Sequence, residues 1–129
     1  MSTLKADTIV ASDGSSPVTL TKQFAAKMWA DIDMTGTATL DASGNVASIT
    51  DNGTGDVTTS FTSSMSDANY ACSGMTTANA AFDDEGLVHL NYTGGRAAGN
   101  CRFGVTDAHN AADVYDFDPV MVIIHGDLA

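Results

Sequence analysis

At 129 residues the chain has the length of one domain with one modest core. Its formal charge of −11, from five Lys and Arg against sixteen Asp and Glu, argues against nucleic acid and anionic membrane surfaces, which are held by clustered cations. No stretch approaches the ~18 apolar residues of a membrane span, and the start, Met1 to Lys5, lacks the apolar core of a secretory signal.

Fifteen of the sixteen acids are Asp, a turn residue, and only Glu85 is Glu. Ser and Thr fill 27 positions, which suits turns and strands. The bias favours a β-rich, loop-rich body, with the acidity serving solubility, while the start without a secretory signal sets the expectation of folding in a reducing cytoplasm.

In chain order, residues 2–12 read as an extended arm, with Leu4, Ala6, Thr8 and Val10 alternating against Lys5, Asp7 and Ile9. A turn cluster at Asp13 to Pro17 leads to a short strand, Val18 to Leu20, and Thr21 stands where a helix N-cap belongs. Residues 22–34 are then expected to form a short helix. Phe24, Ala25, Met28, Trp29 and Ile32 fall on one helical stripe. Beside a β body, that stripe is expected to be an oligomer interface, with residues 1–34 as an attachment and oligomerisation segment and 35–129 as the main domain.

Strand patterns follow at Gly36 to Leu40, Val46 to Thr50, Val57 to Thr62, Tyr70 to Met75, Gly86 to Tyr92, Cys101 to Val105 and Val120 to His125. Asp41 to Asn45 reads as a loop. Asp51-Asn-Gly-Thr-Gly-Asp56 is the strongest local signal: Asn-Gly supplies positive φ for a tight hairpin, and the second Gly suits a bulge. Val120 to His125 is nearly continuous in apolar character, so it is expected to be central or covered on both faces. The spacing predicts a mainly β fold, an antiparallel β-sandwich of jelly-roll or Ig-like type, preceded by the arm and the one helix.

Cys72 and Cys101 share the parity of their apolar neighbours and should face inward. Free thiols are expected from the reducing compartment, with a disulfide as the alternative. Among the histidines, His89 lies in a strand with parity opposite to Val88 and Leu90, His109 sits in a loop near Asp107, and His125 ends the last strand. No pair has metal-ligand spacing, no Ser sits in a nucleophile elbow, and Gly53-Thr-Gly55 and Gly94-Gly95 match no phosphate loop. No catalytic residue, metal or cofactor is assigned. Asp113, Tyr115, Asp116 and Asp118 form an acid and aromatic loop that suits a hard cation or a glycan, or is simply solvated. Lys5, Lys22 and Lys27 all lie early, so the lysines sit in the first quarter, ahead of an acidic body.

Leu4-Lys-Ala-Asp-Thr-Ile9, Ser16-Pro-Val-Thr-Leu-Thr-Lys-Gln23, Ala26-Lys-Met-Trp29, the 51–56 hairpin, Met65-Ser-Asp-Ala-Asn-Tyr70 and Ile124-His-Gly-Asp127 form an ordered series from residue 4 to the C-terminus. It resembles small fibre or tail-associated structural proteins of tailed bacteriophages, those of marine and cyanobacterial phages in particular. The sequence departs from that pattern at Val57, where an aromatic is expected, and in Trp29-Ala-Asp-Ile32, more polar than the usual apolar strand there. The resemblance implies a non-enzymatic virion component, a homotrimer contacting other virion proteins and a host surface glycan. Capsid decoration or a head fibre is the alternative. A carbohydrate-binding module is the alternative from another class.

Overall fold

Period-two alternation governs the computed structural model, which describes residues 25–77, 85–91, 93–109 and 113–129. The chain there is mainly β, in two antiparallel sheets. The first takes the order β2-β1-β9-β5, from β1 (Met28–Asp33), β2 (Thr39–Gly44), β5 (Ala71–Thr76) and β9 (Val120–His125). The second takes the order β3-β4-β8-β6, from β3 (Val46–Gly53), β4 (Asp56–Phe61), β6 (Gly86–Leu90) and β8 (Asn100–Asp107), with the short β7 (Arg96–Ala97) also on β8.

The expected helix is corrected by β1. Residues 28–33 are extended and pair with β2 on one side and β9 on the other. Met28, Ala30 and Ile32 point inward, and Trp29, Asp31 and Asp33 point outward. Positions i and i+4 share a face in a helix and in a strand alike, so Met28 and Ile32 satisfy both periods, and buried Ala30 decides for the strand. Trp29, expected on the same stripe as Met28, is on the opposite face. The arm, the Val18 to Leu20 strand, the Thr21 cap and Phe24 lie outside the described residues.

One core joins the two sheets. Met28, Ala30, Ile32, Val120, Val122 and Ile124 come from the first, and Val57, Phe61, Cys101, Phe103 and Val105 from the second. Residues 28–34 are thus part of the same interior as the strands that follow. The chain passes from the first sheet to the second between β2 and β3. Asn45 is the lone residue of that crossing, held at φ 60°. Asn45 Nδ2 donates to the carbonyls of Lys27 (3.0 Å) and Ser63 (2.9 Å), and its Oδ1 accepts from Ser63 N–H at 2.7 Å. The expected loop at 41–45 is therefore strand as far as Gly44, with Asn45 alone making the corner.

The 51–56 hairpin forms, with its glycines in exchanged roles. Gly53 pairs with Asp56 across a Thr54-Gly55 loop, and the register shift falls at Asn52, between Asp51 and Gly53. Gly53 (φ 123°) and Gly55 (φ 66°) both occupy the conformations that glycine tolerates best.

Candidate functional site

The outward face of the first sheet is built by register. Trp29 stands across from Ile123, which stands across from Ser73, and one row along, Asp31, Met121 and Met75 line up in the same way. These residues line one shallow groove. Trp29 is 45% exposed, Met121 41% and Met75 70%. On its other side Trp29 faces Gly44, where a Cβ would collide with the indole Nε1, so the glycine leaves room for the ring over β2. Asp31 Oδ1 is buried in this face and has no hydrogen-bond partner among the described residues. A carboxylate oxygen shielded from water without a donor is costly. Among the described residues the groove thus joins an apolar floor to an acceptor without a donor, a combination that suits a partner bringing apolar side chains and an N–H or ammonium donor.

The sequence carried a trace of this face. β9 is apolar at both parities, and a strand between two neighbours with an apolar outer row wants cover on that side. It is central, as expected, between β1 and β5, but the described residues leave its Met121 side open. Of the expected interface set, Met28 and Ile32 are fully buried in their own subunit, Ala25 and Trp29 are exposed, and Phe24 lies outside the described residues. Met75 and Met121 were missed, because each looks like an ordinary strand residue until pairing sets them beside Trp29.

The 113–118 segment serves the fold at several points. Asp113 C=O accepts from Asp107 N–H at 2.9 Å, and Val114 bridges Thr106. Asp116 Oδ1 accepts from Gly55 N–H at 2.7 Å, which ties the segment to the β3–β4 hairpin. Tyr115 meets Phe117 edge to face, with centroids 6.2 Å apart. Asp118 looks elsewhere: loss of solvent pushes its carboxyl above the ordinary range, and Asp33, Asp41 and Asp31 add to the rise. Among the described residues, no group of three or more His, Cys, Asp or Glu is placed to hold a metal ion.

A polar network covers the outer face of the second sheet. Arg102 grips Asp56 with Nε (2.8 Å) and Nη2, and Asn91 Nδ2 donates to the same carboxylate at 3.0 Å. Hydrogen bonding to Asp56 raises the Arg102 pKa further. Asn52 Nδ2 adds donations to Asp56 (3.3 Å) and Thr58 Oγ1 (2.9 Å). The Asp56 carboxylate is saturated with donors, so this network pins the hairpin to β8. The His89 ring lies against Gly104 with Nε2 buried and unpartnered among the described residues. His109 N–H donates to Asp107 at 2.8 Å, and His125 closes β9 in the other sheet.

Compared with protein-family models, curated proteins and solved structures, the chain matches none.

Proposed function

We propose that the protein is a non-enzymatic structural component of a tailed-phage virion, associated with a fibre or the tail. In this reading its two sheets pack as a β-sandwich of jelly-roll or Ig-like type. Copies assemble as a homotrimer that contacts other virion proteins and, at its distal surface, a host glycan. The ordered series of segments from Leu4 to Asp127 supports the family. The observation that carries the assembly is the groove of Trp29, Met75, Met121 and Ile123, set in a chain of net charge −11. An acidic chain gains nothing in solubility from such a patch, and contiguous apolar surface of this kind marks protein contact. The shared seam is therefore this sheet face and not a helix.

Light scattering at low micromolar concentration tests the reading. A particle of three times 13.3 kDa is expected, and Trp29→Lys combined with Met121→Lys should reduce it to one chain. A single chain in the unsubstituted protein overturns the assembly. Decoration of the capsid uses the same physics, and immunogold labelling of particles separates head from tail.

One observation favours a second reading, a carbohydrate-binding module. The half-exposed Trp29 ring beside Ser73 and Asp31 offers aromatic surface on which a sugar face stacks. Tryptophan fluorescence that shifts with a glycan, in a chain that stays solitary, would decide for it.

A further inference from the structure

Two thiols face one core from different sheets. Cys72 lies on β5 in register with Ile124, and Cys101 on β8 in register with Thr59 and Arg96. Both belong to or pack against the common core, and both are free. Cys101 is fully buried, and its Sγ donates to Gly95 C=O at 3.1 Å. Cys72 is only half-buried. The Tyr70 hydroxyl, two residues before Cys72, donates to the carbonyls of Asn100 (2.7 Å) and Ala97 (3.2 Å), which brings the start of β5 against the strand of Cys101, and each thiol influences the other's proton affinity. Arg96 completes the setting. Its Nη1 donates to Tyr70 C=O at 2.7 Å, its guanidinium carbon lies 5.9 Å from the Tyr70 ring centroid, and its charge favours the Cys72 thiolate.

We propose that Cys72 and Cys101 form a redox modification site, an inter-sheet dithiol that closes to a disulfide by exchange with a low-molecular-weight disulfide. Cys72, the accessible member, attacks first as thiolate. A bond forms from its Sγ to one sulfur of the small disulfide, the small S–S bond breaks, and the departing small thiolate takes up a proton. Cys101 then gives up its proton and attacks Cys72 Sγ, expelling the second small thiolate. Two protein thiols are oxidised to one disulfide while one small disulfide is reduced to two thiols. The product links β5 to β8, and so the first sheet to the second.

The chemistry sets the tempo. Burial pushes the Cys101 thiol up to about 12 and raises that of Cys72 as well, with Arg96 countering in part. Few molecules carry the reactive thiolate at neutral pH, so closure is slow there and quickens as pH rises. A chain that folds reduced and later meets an oxidising medium would acquire the link after folding. The inference stands apart from the assembly reading.

The test is incubation of the full chain with oxidised glutathione near about pH 9, followed by thiol titration in denaturant and mass spectrometry without reductant. Expected is the loss of both thiols, a mass lower by two hydrogens with no adduct, and a Tm higher by about 10 °C that dithiothreitol reverses. Cys72→Ser should leave Cys101 unreacted in the native protein, whereas Cys101→Ser should stop at a mixed disulfide on Cys72. Two thiols still titrating after oxidation overturn the proposal. So does a covalent dimer, or a stable glutathione adduct on the unsubstituted chain.

Discussion

Asn45 shows how much one side chain can decide. A non-glycine residue at φ 60° carries a backbone cost, and here three side-chain hydrogen bonds to Lys27 and Ser63 offset it. Asn45→Ala keeps the strained φ and loses the bonds, so it should destabilise by about 2–3 kcal/mol in chemical denaturation. Asn45→Gly relieves the strain and should lose about half of that. Equal losses would mean that the corner's conformation is irrelevant.

Carboxylates at turns supply a pH dependence at the same scale. Asp33 is lowered by its bonds from the Thr35 hydroxyl and N–H, Asp51 by the N–H groups of Ala38 and Gly53, and Asp67 by the N–H and side chain of Asn69. A folded pKa below the unfolded one gives stability that is complete above the unfolded carboxylate range and lost as pH falls through the folded value. Asp118 is raised, by desolvation first and then by Asp33, Asp41 and Asp31, so its contribution is present at low pH and lost as pH rises. In a pH series of Tm, Asp51→Asn should flatten the acid limb, and Asp118→Asn should raise Tm at neutral pH while changing little in acid.

At the scale of the element, β1 tests the physics of the two periods. As a strand it puts Met28 and Ile32 in the interior and Trp29 on the outer face; as a helix it would have set all three together. Ile32→Ala should therefore cost about 3 kcal/mol, and Trp29→Ala less than about 1 kcal/mol in a dilute solution of single chains. The reverse order would restore the helix. The hairpin was legible in the sequence because Asp51 to Asp56 carries its own conformational signal, with Asp51 Oδ1 receiving Gly53 N–H at 2.8 Å. Even so, the exchange of loop and bulge between the glycines was not, since register depends on the partner strand. β1 was misread for a related reason. Its short apolar run fits either period, and only the hydrogen-bonding edges of β2 and β9 settle the choice.

For the whole molecule, charge and the apolar sheet face pull in opposite directions. Copies of net charge −11 repel one another, while burying Trp29, Met75 and Met121 draws them together. Raising salt screens the first term over a Debye length of about 10 Å at 0.1 M and strengthens the second only modestly. Self-association measured by sedimentation should therefore tighten from low to moderate ionic strength. Association that weakens with salt would point to charged contacts and away from the groove.

Composition and alternation were enough to establish a β-rich acidic chain, the strands around 46–61, 71–76, 86–90, 100–107 and 120–125, and the inward parity of both cysteines. These are local properties, readable from each residue and its near neighbours. Tertiary structure alone decided that residues 28–33 are a strand, that Trp29, Met121 and Met75 share one sheet face, and that Cys72 and Cys101 enter one core from different sheets. Each of these depends on strands distant in sequence coming to lie side by side or face to face, and periodicity within one segment carries no record of its neighbours.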